Sequence, residues 1–241
     1  MSAEGALVQA PFVSPIRALC TTRRGGVSAP PFDSLNLGAA CGDRPSCVER
    51  NRALVTSLLP AAACWLRQIH GAGVIHLDDW STGVSADAAW TDRPGQVAAI
   101  LTADCLPIVI AEPGGRCVAA IHAGWRGLAA DVIGNCVAAL PTRPEALVAW
   151  IGPRICQRHY EVDATVRDTF DLAPEAFTPT RPGHWSADLP AVARKQLRRA
   201  GLETVTDSAL CTAGDKRFFS YRRDGRTGRM ATFVWIEPDA A

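Results

Sequence analysis

The sequence predicts an α+β fold of mixed β-sheets covered by helices, in one domain spanning residues 1–241. Three observations lead there. Short apolar runs of strand length follow one another without the strict strand–helix alternation of a parallel α/β protein. Between two of them stands "EPGG", a turn signal that pairs the flanking runs as an antiparallel hairpin. Segments with helical spacing are few and scattered among the strands.

The elements follow in order. "IRALCTTRRGG" (16–26) reads as a strand ending in a basic glycine turn. "SCVERNRALVTSLLP" (46–60) reads as a helix: Ser46 and Glu49 form a capping box, Val48, Leu54, Val55, Leu58 and Leu59 share a face, and Pro60 stops it. Strands are expected at Trp65–His70, Val74–Leu77, Val97–Leu101, Leu106–Ala111 and Cys117–Ile121, the last two being the hairpin. "LAADVIGNCVAAL" (128–140) spaces Leu128, Val132, Ile133, Cys136, Val137 and Leu140 as one buried helical stripe, and "ALVAWIGP" (146–153) is a buried strand. "LPAVARKQLRRAG" (189–201) is an amphipathic helix, basic in its last turn and closed by Gly201. "RMATFVWIE" (229–237) alternates as a final strand.

Composition narrows the function. With 48% hydrophobic and 20% charged residues, the chain has the balance of a soluble globular protein. A net charge of +1 gives no global case for nucleic acid or for an anionic membrane. Locally, residues 181–230 hold 11 Arg and Lys against 5 Asp and Glu. The N-terminal "MSAEGALVQAPFVSP" lacks the basic cluster and apolar core of a signal peptide, and no stretch approaches the roughly 18 apolar residues of a membrane helix. Nine cysteines without a C-x-x-C pair argue for reduced thiols and a cytoplasmic protein.

Of the five histidines, two end strand candidates and precede small residues, in "RQIHGAG" (His70) and "AIHAGWRG" (His122). Cys105 holds the equivalent place after "AAILTAD", 35 residues from His70 and 17 from His122. A thiolate and two imidazoles make a three-ligand set for zinc with a fourth position open, as catalytic zinc requires. The same residues allow a second reading, in which Cys105 is a nucleophile and His122 its base, as in cysteine amidases. A third is bland: two satisfied strand-end histidines and a core thiol. Metal content separates the first two.

Arginines beside flexible turns suit anions, because guanidinium forks match phosphate. The candidates are Arg23, Arg52 and Arg126, with Arg222 and Arg223 in "FFSYRRDG"; Arg198 and Arg199 read as a solvated face. Trp90, Trp125, Phe219 and Tyr221 stand beside these motifs and could stack on a ring-shaped substrate. The GxGxxG, Walker A, GxSxG and EF-hand patterns are absent.

Taken together, "TTRRGGVSAPPFDSLNLG", "RQIHG", "LTADCLPIVI", "HAGWRG", "IGPRICQRHYEVD" and "FFSYRRDGRTGRM" resemble the laccase-domain (YfiH-like) family, in order from Thr21 to Ile236. The resemblance implies a layered α/β/β/α sandwich with mixed β-sheets. It implies a zinc-dependent purine nucleoside phosphorylase acting on adenosine, guanosine or methylthioadenosine, with adenosine deaminase as a side activity. Family members have also been described as copper polyphenol oxidases, so copper is a possible metal, and as a peptidoglycan editing factor, an amidase on muramyl-amino acid precursors. The metal ligands of the family map onto His70, Cys105 and His122. Cys105, His122 and Asp104 are then the expected catalytic residues, Asp104 carrying the proton that deamination needs. Arg126, Arg23 and Arg52 are the expected phosphate contacts. The expected partners are nucleosides and phosphate, with no nucleic acid and no membrane, and a monomer is the expected state. One stretch departs: relatives carry a cysteine near "GPxxGPCxYEV", whereas here Cys156 is displaced and His159 precedes Tyr160.

Overall fold

Period-two alternation in the apolar runs decides the architecture, because successive side chains of a strand face opposite sides of its sheet. In the computed structural model, residues 7–170 and 173–238 are described. Fourteen strands lie among them: β1 (Leu7–Gln9), β2 (Ile16–Thr21), β3 (Ala63–Trp65), β4 (Val74–His76), β5 (Ala88–Thr91), β6 (Val97–Thr102), β7 (Leu106–Ala111), β8 (Val118–Ala123), β9 (Val148–Ile151), β10 (Glu161–Asp163), β11 (Phe177–Arg181), β12 (His184–Ala187), β13 (Thr204–Asp207) and β14 (Met230–Ile236). The α-helices are α1 (Pro45–Thr56), α2 (Trp125–Ala129), α3 (Val132–Ala139), α4 (Ala164–Arg167), α5 (Leu189–Arg199) and α6 (Tyr221–Asp224).

The strands make a five-stranded sheet, β1-β2-β14-β6-β3, a six-stranded sheet, β13-β9-β7-β8-β5-β4, and a small sheet, β10-β12-β11. The two large sheets are mixed: β3–β6, β4–β5 and β9–β13 are parallel and their other pairings antiparallel. None closes into a barrel. The two large sheets stack face to face. Ala98 and Ile100 of β6 and Val234 of β14 meet Val109 of β7, Ala120 of β8 and Trp150 of β9 in the middle core. The intervening residues face outward. Ala99, Ala231, Phe233 and Trp235 pack with Val55 of α1. Ile108, Ile110, Ile121, Ala149 and Ile151 pack with Ile133 and Val137 of α3 and Val192 and Leu197 of α5. The layers are therefore α/β/β/α, as the resemblance implies. Among the described residues no helix is long and apolar enough to cross a membrane.

Local differences from the sequence reading have physical causes. The strand expected to reach His70 stops at Trp65, because the amides of Ile69, His70 and Gly71 donate to the Asp87 carboxylate instead of a neighbouring strand. The helix expected over 128–140 is two, α2 and α3, broken at Asp131 in the left-handed region (φ 60°). Ser46 forms no capping box: Pro45 opens α1, whose cap residue Arg44 makes no side-chain bond. Leu58 and Leu59 bond three residues back, to Val55 and Thr56, so the helix tightens and ends before Pro60.

Candidate metal centre

Adjacent ends of β7 and β8 bring two of the three sequence candidates together. Pro107 pairs with His122, so Cys105, one residue before β7, lies beside the end of β8. The loop after β3 carries His70 to the same place. One donor atom from each of His70, Cys105 and His122 lies within 4.8 Å of the others. The two imidazoles meet edge to face, centroids 4.8 Å apart. His122 is buried, Cys105 half-buried and His70 exposed, so the cluster opens on the His70 side.

Asp87, which the sequence reading passed over, organises this cluster. It is fully buried at the head of β5, and its carbonyl accepts from the His122 amide at 2.7 Å. Its Oδ1 lies 2.8 Å from His122 Nδ1 and accepts from the His70 amide at 2.9 Å. Oδ2 accepts from Gly71 at 2.7 Å and Ile69 at 3.2 Å. One carboxylate thus fixes the His70 loop and the His122 ring, leaving the other ring nitrogen of His122 for the cluster. Burial alone would push its carboxyl up, but the His122 hydrogen bond and these amides hold it below the usual range. The signal was a lone acid at the start of an Ala-rich strand, in "SADAAW".

The electrostatics favour a thiolate. Burial would push the Cys105 thiol up; the charge and hydrogen bond of His122, followed by those of His70, more than reverse this and bring it to about 6. Burial would likewise lower His122, which Cys105 and Asp87 raise to about 9. Each group thus favours the charged form of the other. The donor set, one thiolate and two imidazoles with a carboxylate behind one of them, fits a single zinc or copper ion with an open position.

Close packing fits the chain to this set. Gly124 sits where a Cβ would come within 2.9 Å of Cys105 Sγ and 3.3 Å of His70 Cδ2. His70 and Asp104 both take left-handed backbone conformations, φ 59° and 92°, which non-glycine residues adopt at a cost of about 1–3 kcal/mol. Asp104 is buried beside Cys105; Oδ1 accepts from Thr212 Oγ1 at 2.6 Å and Oδ2 from the Arg222 amide at 2.7 Å. Tyr160 stands near, its hydroxyl pushed up to about 12 by burial and the Cys105 charge against the pull of Arg222 and Arg126. The Arg222 guanidinium lies 4.9 Å from the centre of that ring. Arg126 is exposed and stacked on Trp125 at 4.3 Å; its guanidinium makes no hydrogen bond or ion pair among the described residues.

Arg23 and Arg52 do not join this group, because their guanidinium forks are already engaged. Arg23 binds the Asp33 carbonyl and carboxylate at 2.6 and 2.9 Å and lies over Phe219. Arg52 gives two bonds to the Leu37 carbonyl and stacks on Trp65 at 4.0 Å. Of the aromatic candidates, Phe219 is fully buried and Trp90 packs against His76, while Tyr221 is 63% exposed.

Residues 17–237 match the family model described as "Multi-copper polyphenol oxidoreductase laccase". The chain is 49% identical to the "Purine nucleoside phosphorylase" of Xylella fastidiosa (strain 9a5c), covering 92% of both chains. It is 43% identical to the "Purine nucleoside phosphorylase YfiH" of Escherichia coli (strain K12), covering 92% of this chain and 94% of that one. Among solved structures it resembles Neisseria meningitidis protein NMB0706, with a TM-score of 0.93, 40% identity and 97% and 100% of the two chains covered. Bacillus licheniformis YfiH gives 0.92 at 30% identity, covering 98% of each chain.

Proposed function

The chain belongs to the multi-copper polyphenol oxidoreductase laccase family, and on that premise we propose that it is a zinc-dependent purine nucleoside phosphorylase of the cytoplasm. The observation that carries this reading is the open three-donor cluster of His70, Cys105 and His122, braced by Asp87, with the unpaired guanidinium of Arg126 four residues beyond His122. Zinc, when bound by these three residues, supplies a Lewis acid for phosphate or water. The chain supplies the rest. Arg126 takes the phosphate through a bidentate fork. Trp125 and Tyr160 give the base an aromatic wall. Phosphate replaces the base at the anomeric carbon, giving free base and sugar 1-phosphate.

Adenosine deamination is the side activity, and Asp104 carries its proton. Asp87 cannot, because four donors use its carboxylate oxygens. Asp104 receives two and keeps two lone pairs. The nine free thiols suit a reducing compartment.

A second reading has its own observation: Cys105, His122 and Asp87 stand in the order of a nucleophile, base and orienting carboxylate. That arrangement suits an amidase editing muramyl-amino acid peptidoglycan precursors. Copper polyphenol oxidation is less well served, since only two histidines share the cluster.

Metal analysis with an adenosine assay decides among them. We expect adenine and ribose 1-phosphate only when phosphate is present, some inosine without it, and loss of both on chelation. Full activity in metal-free protein would overturn the zinc reading, and cleavage of an L-Ser muramyl nucleotide alone would make editing the function. Arg126→Met should keep its metal and raise the KM for phosphate roughly ten-fold, about 1.4 kcal/mol, the modest value that suits an exposed contact. Unchanged phosphate kinetics would remove Arg126 from the site.

A further inference from the structure

Three side chains of metal-ligating type that the proposed reaction does not use meet in a second cluster. Cys156 precedes and His159 ends a single 3-10 turn (Gln157–His159), whose three-residue period sets positions i and i+3 on one side. His159 Nδ1 lies 3.3 Å from Cys156 Sγ and 3.3 Å from Cys211 Sγ. All three donor atoms lie within 4.8 Å of one another. A tetrahedral zinc ion sets sulfur and nitrogen ligands about 3.5 Å apart. The spacing fits.

The backbone prepares this cluster for anionic sulfur. The Cys156 amide points at Cys211 Sγ at 3.2 Å, and the Gly214 amide also hydrogen-bonds to it. The two loops are laced together beforehand: the Arg154 amide donates to Leu210 O, and the Thr212 amide to Arg154 O. Cys156 and Cys211 line a cleft of about 500 Å³ with Arg154, Arg194, Asp188 and Asp207, which gives an ion a way in and a fourth ligand room. We propose that Cys156, His159 and Cys211 form a second metal site, separate from the His70 cluster, that takes a divalent cation of zinc type with a Cys₂His donor set. On binding, the two thiols lose their protons to solvent, and the cation gains two thiolates and one neutral imidazole.

The position gives the site a purpose. Ile155, beside Cys156, donates its amide to Asp104 O at 2.9 Å, and Thr212, beside Cys211, donates its hydroxyl to the Asp104 carboxylate. A cation here joins the two loops that hold Asp104 against Cys105. It is a clamp behind the first centre and takes no part in its chemistry.

The test uses the full-length chain, stripped with chelator and titrated with Zn²⁺ and separately with Co²⁺. Thiol alkylation is mapped by mass spectrometry at each stage. We expect zinc to slow alkylation of Cys156 and Cys211 together by roughly ten-fold or more, because bound thiolate is no longer a free nucleophile. In a Cys105→Ala background, which removes the thiolate of the first cluster, cobalt should give a sulfur-to-metal charge-transfer band that disappears when His159→Gln is added. Should His159→Gln fail to fold, the alkylation map of the unaltered chain still decides. Unprotected Cys156 and Cys211 at saturating zinc would overturn the proposal, as would a Cys156–Cys211 disulfide that forms in air and blocks zinc uptake. Failure at His70, Cys105 and His122 leaves this site untouched, since protection is read cysteine by cysteine.

Discussion

Asp87 and Gly124 do more for the first cluster than their plain chemistry suggests, and each makes a separable prediction. Asp87→Asn keeps the shape but removes the charge and puts an amide group among four donors. Losing such a carboxylate behind a ligating histidine is expected to weaken zinc binding by about 10–100-fold, measured by chelator competition. Thermal unfolding should report about 1–3 kcal/mol of lost stability from the unsatisfied amides. Gly124→Ala is cleaner. Its φ of −79° suits any residue, so the added methyl is felt first by Cys105 Sγ and His70 Cδ2. Zinc affinity should fall while the melting temperature stays within about 2 °C, a shift worth under 1 kcal/mol. Undiminished protection of Cys105 by zinc in both variants would remove His70, Cys105 and His122 as a ligand set.

At the scale of elements, legibility followed unbroken apolar sequence. The runs of β7, β8 and β14 were readable because both faces of each strand are buried, leaving near-continuous apolar sequence. β10 to β13 were not read, being short, partly exposed and polar, as in "TVTD". The cluster of His70, Cys105 and His122 was legible from side-chain chemistry, whereas Asp87 owes its place beside it to the β5–β8 register, which no local pattern encodes. Arg52 misled for the same reason: a guanidinium advertises anions, but its partners, Leu37 and Trp65, are tertiary. Caps show the contrast experimentally. Asp188 accepts from the Ala191 amide at 3.0 Å at the start of α5, so Asp188→Ala should cost about 1 kcal/mol. Ser46 is exposed and caps nothing, so Ser46→Ala should change stability by less than about 0.5 kcal/mol. Equal losses in denaturant melts would restore the capping box that the sequence suggests.

Across the whole molecule, the face-to-face stacking of two mixed sheets puts most of the apolar sequence in the middle, and the candidate metal centre at the loops where β7 begins and β8 ends. The sequence showed mixed sheets and helical covers. It could not show which strands are neighbours, since pairing between distant segments leaves no local trace. β14 is the sharpest case. It follows every other described strand, yet lies between β2 and β6 at the centre of the five-stranded sheet. A ribosome therefore delivers the sheet in two unjoined parts, and their apolar edges stay open until the last strand emerges. Nascent chains stalled before Met230 should be digested rapidly by protease, and chains stalled with Ile236 well outside the exit tunnel should resist. Early resistance would mean that β2 and β6 close without β14. If the late closure holds, the growing chain carries an unpaired sheet edge until β14 emerges, which makes it a client for chaperones that shield exposed strands during translation.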